Sequence, residues 1–309
     1  MAKKLRYLRM IYIFVVQHIE DLSAIRYYIT TIILLFSIAL WGCDDNGLPE
    51  QNNGPISLQF NFIKDSSYQY ILDSKMTLEP VVNGKTLTIT QQMKLLSSYV
   101  VTSAGENKNV AVTYNRITMS SGNGITNNEY DSEDTTTPNQ MFASVGAMMK
   151  RTFNISVSKN GITGVQNLYD EEQLTDSAAV NYGDSSLRKA MLQFLTMYPT
   201  ADIKPGDTWK KEFNTSNGFI HMRLENTYTL KSIDGNIAHI ELQGKITPED
   251  STQAMTFSGI QSGGIDVDIK TGLITIGQIT QHLNGKINSG EKISEVSATS
   301  EINLIGNML

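Results

Sequence analysis

The sequence predicts an α+β protein that is predominantly antiparallel β. The expected architecture is two curved-sheet repeats, half-barrel-like, with a short helical insert between them. Three observations carry this expectation. Long stretches alternate apolar and polar residues, with Asn-Gly and Asp-Gly pairs between them, which is a strong short-range hairpin signal. Two such stretches resemble each other segment by segment and in the same order. The stretch between them switches from a period of two to a helical period.

The first β repeat spans 56–168. Within it "ISLQFNF" (56–62), "YQYILDSKMTLEPVV" (68–82), "KTLTITQQMKLLSSYVV" (85–101) and "NVAVTYNRITMS" (109–120) alternate. Asn83-Gly84 and Asn160-Gly161 mark turns. These read as long antiparallel strands with one wet face.

The second β repeat spans 201–309. Its alternating runs are "DTWKKEFN", "FIHMRLENTYTLKSIDGNIAHIELQGKIT", "MTFSGIQSGGIDVDIKTGLITIGQITQHLNGKI" and "KISEVSATSEINLIG". Asp234-Gly235 and Lys270-Thr271-Gly272 supply turns. Residues 63–72 parallel 203–213, residues 97–118 parallel 226–247, and residues 153–166 parallel 265–278.

The helical reading rests on two runs. In "PNQMFASVGAMMKRTF" (138–153) Met141, Phe142, Val145, Met148 and Met149 share one helical face, which places a helix over 139–151. A helical connector follows over 169–200. There Asp184 or Ser185 caps a helix with Leu187, Met191, Leu192, Phe194 and Leu195 as its stripe, and Pro199 stops it. The helices, or the other sheet, would cover each sheet's apolar face. Met141, Phe142, Val145, Met148, Met149, Met191, Leu192 and Leu195 are the candidate lining of an apolar ligand pocket, because Met-rich surfaces adapt to varied ligands. The plainer reading is that they are core.

The N-terminal region reads as an address. Arg26 precedes a nearly unbroken apolar run, 27–40, and small and acidic residues follow, in the order of a secretory signal. The run is shorter than the ~20 residues a membrane span needs. "LWGC" (40–43) resembles a bacterial lipobox, with Trp41 where Ala or Ser is more usual. Cys43, the only cysteine in the chain, is then the lipidated residue that becomes the new N-terminus. More than one acyl chain is needed for stable anchoring. The plainer alternative is an uncut anchor helix. Residues 1–42 form the signal peptide, long enough that either the start is over-extended or the basic region is lengthened. Residues 43–55, polar with Gly and Pro, form the lipidated tether.

Composition excludes some classes of partner. Five of the 25 basic and two of the 31 acidic residues lie in 1–42, so the remainder carries 20 against 29, a net charge of −9. Nucleic acid requires a basic footprint, so no nucleic-acid partner is expected. Adsorption to anionic head groups is disfavoured for the same reason. The expected location is the bacterial outer membrane, lipid-anchored through Cys43, on its periplasmic or cell-surface face.

No catalytic constellation emerges. "GDSSL" (183–187) contains the Gly-Asp-Ser of GDSL-type hydrolases but lacks their late Asp-x-x-His, and a helix N-cap explains it. "DVDIKTG" (266–272) departs from a calcium loop, with Lys270 at position 5 and Gly272 at position 7. Read as a strand, it puts Asp266 and Asp268 on one solvated face. His221, His239 and His282 do not have zinc-motif spacing. No catalytic residue, metal ligand or cofactor is expected. The motifs at 134–136, 176–178 and 250–252 fit an Asp-[Ser/Thr]-small pattern of bacterial O-glycosylation, a weak three-residue signal.

"KDSSYQYIL", "NVAVTYNRITMS", "YDS" at 130–132, "FNISVSKNGITGVQNL", "KPGDTWKKEF", "YTLKSIDGNIAHIELQGKI" and "DIKTGLI" are similar to the uncharacterised Bacteroidetes lipoproteins of the DUF6263 family. The similarity spans about 56–285. Its motifs are turns and strand starts, so it implies lineage and an envelope address and transfers no activity. The expected function is non-enzymatic: binding an apolar or envelope-derived ligand. The alternative is a structural or accessory component of an envelope protein complex. A carboxylate-dependent hydrolase ranks third.

Overall fold

The computed structural model describes residues 54–82, 84–103, 105–134, 149–159, 161–166, 197–217, 220–250, 254–288 and 293–309. Within them thirteen strands form one antiparallel sheet. They are β1 (Ser67–Val82), β2 (Lys85–Thr86), β3 (Ile89–Val101), β4 (Lys108–Gly122), β5 (Asn127–Asp131), β6 (Thr152–Ser158) and β7 (Gly161–Gln166), followed by β8 (Thr208–Asn217), β9 (Ile220–Asp234), β10 (Ile237–Pro248), β11 (Met255–Asp268), β12 (Leu273–Asn288) and β13 (Ile293–Met308).

This corrects the α+β expectation of two sheets with a helical insert. The described residues are all β, and both strand blocks belong to a single sheet. The order is β7-β6-β4-β3-β1-β13-β12-β11-β10-β9-β8, with β2 beside β1 and β5 beside β4. The blocks are joined by a long β1–β13 ladder that runs from Tyr68↔Met308 to Pro80↔Val296. Alternation gave the strands. It carried no information on that pairing, which links residues more than 200 positions apart. The helices expected over 139–151 and 169–200 fall mostly outside the described residues. Where they do not, Met149 and Lys150 form a turn, with Lys150 at φ 61°, and residues 197–200 are bends and irregular chain, not helix.

Alternation becomes burial along most of the long strands. In β1, Tyr68, Tyr70, Leu72, Met76 and Leu78 point inward and are buried. Val110, Val112, Tyr114, Ile117 and Met119 do the same in β4, and Leu224, Tyr228 and Leu230 in β9. Each such side chain stabilises the fold by about 1.5–3 kcal/mol, an upper range because the unfolded chain already hides some of it. The opposite face carries ion pairs such as Lys231–Glu241 at 3.0 Å, which contribute little.

The sheet is rolled, and the segment before β1 shows how tightly. Ile56 pairs with Ile203, just before β8, through two backbone hydrogen bonds of 2.7 and 2.9 Å. Four residues on, Phe60 N donates to Lys159 O in the β6–β7 turn at 3.3 Å. Four residues reach at most about 14 Å. In a flat sheet β7 and β8 would stand ten strand spacings apart, roughly 48 Å. The two edges are therefore brought together at this end. Asn61 draws in the walls between them. Its N donates to Thr271 O at 2.8 Å, its Nδ2 to Lys270 O at 3.1 Å, and its Oδ1 accepts from Lys108 Nζ at 3.4 Å. Irregularities in register at Leu96/Ser97, Ser156/Val157, His239/Ile240 and Asp266/Val267 add twist that helps the roll.

Residues 56–62 were expected to form a strand of the first repeat. They instead make a strap across the end of the rolled sheet. Ile56, Leu58, Phe60 and Phe62 alternate into the interior and are buried, but apart from the Ile56 bridge they join no ladder among the described residues.

Candidate functional site

The concave face has three levels. The strapped end is filled with rings. Phe60 stacks near Phe62, their centroids 5.7 Å apart, and lies 4.9 Å from Tyr198. Tyr70 meets Tyr99 edge-on at 5.2 Å, and Trp209 stacks on Tyr228 at 5.5 Å. The ring hydroxyls reach backbone oxygens: Tyr198 Oη donates to Gly272 O at 2.7 Å, and Tyr70 Oη lies 3.4 Å from Ile274 O. Burial pushes the hydroxyl pKa of Tyr70, Tyr99 and Tyr198 well up, and that of Tyr228 up to about 12. The far end is apolar, with Leu78, Ile89, Leu224, Ile246, Phe257 and Leu283 buried there.

Between the two levels the register sets a polar belt. Ser121 on β4 pairs with Gln91 on β3, and Gln91 with Met76 on β1. Met76 pairs with Ser300 on β13, and Ser300 with Gln281 on β12. Gln281 pairs with Gln261, Gln261 with Gly244, Gly244 with Asn226, and Asn226 with Lys211 on β8. One transverse row thus crosses nine strands, and Ser121, Gln91, Ser300, Gln281, Gln261 and Asn226 in it are buried.

Half of the belt is saturated. Gln281 Nε2 donates to Gln261 Oε1 at 2.9 Å, Gln261 Nε2 to Asn226 Oδ1 at 2.7 Å, and Asn226 Nδ2 to Tyr228 Oη at 3.1 Å. Gly244 makes this chain of amides continuous. A Cβ there would press on Asn226 Oδ1 and come within 2.8 Å of Gln261 Cγ. The other half differs. Gln91 is 1% exposed, and among the described residues neither its Nε2 nor its Oε1 has a hydrogen-bond partner. Each such orphaned group costs about 1–3 kcal/mol. Lys211, at the opposite end of the belt, is half-buried; desolvation lowers its ammonium pKa.

The expected site residues are placed as follows. Cys43, Met141, Phe142, Val145, Met148, Met191, Leu192 and Leu195 lie outside the described residues. Met149 packs, half-buried, against the core. The pairing of Asp266 with Asp268 on one wet face is overturned, because the register shift at Asp266/Val267 separates them. Asp266 Oδ1 meets His239 Nδ1 at 2.7 Å on the outer face. Asp268 is buried and accepts from Thr271 N and Oγ1, each at 2.8 Å. His282 is exposed. Among the described residues no three His, Cys, Asp or Glu side chains converge as metal ligands.

Sequence reasoning missed the belt, although its signal was present. Gln91 falls on the apolar parity of Ile89, Met93 and Leu95, and Gln261 on that of Phe257 and Ile265. A polar residue in an apolar phase is the mark of an inward-facing amide.

The apolar face is inside and the charged face outside, the reverse of the alternation of a transmembrane barrel. Among the described residues no helix is long and apolar enough to cross a membrane.

No curated protein matches the sequence. The solved structures to which the chain is similar include these three. One is lipovitellin, described for its lipid–protein interactions, at 11% identity and a TM-score of 0.49, over 79% of this chain and 25% of that one. This chain therefore spans about a quarter of lipovitellin. The translocator domain of the autotransporter NalP from Neisseria meningitidis is 8% identical over 81% of this chain and 90% of that one, with a TM-score of 0.22. OpdL from Pseudomonas aeruginosa is 7% identical over 79% and 99%, with a TM-score of 0.23. The family model that matches is that of a family of unknown function, over residues 105–274, and the chain belongs to that family, DUF6263.

Proposed function

We propose that the chain is a non-enzymatic binder of an apolar ligand, held on the concave face of the rolled sheet. Among the described residues eleven strands follow one another around the curve. Eight already enclose an interior that side chains fill, and larger circuits leave room for a ligand. The observation that carries the reading is the strap: it draws β7 and β8 together at one end, so the apolar inner face becomes the wall of a container. The address that fits is the bacterial envelope, with Cys43 lipidated and the domain tethered to the outer membrane through residues 44–55. That address rests on the lipobox-like "LWGC".

Native mass spectrometry of the protein purified from its own envelope tests this. A stoichiometric apolar adduct is expected in the wild type. It should be absent from Ser300→Trp, which fills the interior at the buried mid-belt position without introducing charge. An adduct-free wild type would overturn the reading and favour an accessory component of an envelope complex.

A further inference from the structure

The belt is saturated on the β9–β12 side and holds a buried, unsatisfied amide at Gln91, and this asymmetry suggests what the container selects. Gln91 presents two N–H donors and a carbonyl acceptor to the interior. Its neighbours on the same face are apolar: Ile89 and Met93 along β3, and Met76 opposite on β1. Ser121, opposite on β4, offers one hydroxyl. A group that satisfies Gln91 must accept at Nε2 and donate at Oε1 while lying against hydrocarbon.

We propose that Gln91 receives the secondary amide of an amide-linked acyl chain, whose hydrocarbon lies along the apolar wall. The ligand carbonyl accepts from Nε2, and the ligand N–H donates to Oε1. An ester offers only the acceptor and leaves Oε1 unpaired. A carboxylate also only accepts, and it sets negative charge against that oxygen. The inference rests on the concave face being a ligand site, and it adds the class of ligand.

The test uses two probes that differ in one atom, N-dodecanoylglycine and O-dodecanoylglycolate, titrated calorimetrically into the wild-type protein and Gln91→Leu. The wild type is expected to bind the amide about tenfold more tightly than the ester, the equivalent of one hydrogen bond. Gln91→Leu should bring the two affinities together, with circular dichroism confirming the fold; Gln91→Met serves if the leucine variant does not fold. Equal affinities in the wild type, or a preference that survives in the variant, would overturn the amide assignment and leave the container reading standing. If neither probe binds either protein, both readings fall.

Discussion

Gln261 Nε2 reaches Asn226 Oδ1 at 2.7 Å across an intervening strand, passing over Gly244. The contact exists because β10 has no side chain at that point. Gly244→Ala would put a methyl group within 2.8 Å of Gln261 Cγ and against Asn226 Oδ1. The amides must then part, leaving buried donors and acceptors unmade. A loss of about 1–3 kcal/mol is expected in urea unfolding. An unchanged midpoint would show that the amide chain contributes nothing to stability.

The strap depends on the loop beneath it. Asp268 fixes residues 269–272 through Thr271, and Gly272 sits at φ 71° with Gln59 and Phe60 directly against it. Asp268→Ala should cost about 1–3 kcal/mol, because the buried Thr271 N–H and hydroxyl lose their acceptor. Gly272→Ala adds backbone strain and brings a Cβ within 2.6 Å of the Gln59 carbonyl carbon. Both variants should be cleaved faster by protease within 54–63 than the wild type. Equal cleavage would mean that the strap is held from elsewhere.

Buried phenols set an alkaline limit. The pKa values of Tyr70, Tyr99, Tyr198 and Tyr228 are raised by burial, that of Tyr228 to about 12, against an unfolded value near 10. A raised folded pKa stabilises fully below the unfolded pKa, and that stability is lost as pH rises through the folded one. Stability should therefore fall from about pH 10 upward. Phenolate absorbance from these four rings should appear together with loss of the sheet's circular dichroism. Full titration near pH 10 with the sheet intact would contradict this.

Trp209 is a built-in reporter. It and Trp41 are the chain's two tryptophans, and its Nε1 donates to Met197 O at 2.7 Å while its ring lies on Tyr228. Trp209→Phe keeps a ring and loses the hydrogen bond, so a destabilisation of about 0.5–1.5 kcal/mol is expected in urea. A ligand entering at the belt should shift its emission, because Lys211 of the belt follows two residues along the same inward phase of β8.

Much of the local structure could be read from the residues. Asp234 and Ile237 close a two-residue hairpin whose loop is Gly235-Asn236, with Gly235 at φ 58°, so the turn lies one residue beyond the Asp-Gly pair that marked it. Parity also gave the inward sets of β1, β3 and β4. What parity cannot encode is which strand lies beside which. Nothing local to Tyr68 names Met308 as its partner, so two blocks of hairpins were read as two sheets. "ISLQFNF" shows the same limit. Its alternation correctly marks Ile56, Leu58, Phe60 and Phe62 as buried, yet a period of two signals an extended chain with one dry side, whether or not a neighbour pairs with it. Gln91 and Gln261 leave a signal that the residues alone do not decide, because one polar residue in an apolar phase looks the same whether it faces inward or marks an irregularity in the strand.

The β1–β13 ladder also bears on how the molecule forms. Leu309 N bonds Ser67 O, and Tyr68 pairs with Met308, so one of the first strands made must wait for the last. Contacts at such separation are slow to find, because a long loop must close before any of them is rewarded. Until β13 arrives, the hydrogen-bonding edges of β1 and β12 that it joins are exposed and invite pairing with other chains. The native state should accordingly form on a slow timescale. Deleting residues 304–308, which pair with Tyr68–Leu72, should slow closure of this ladder and raise the aggregated fraction on refolding.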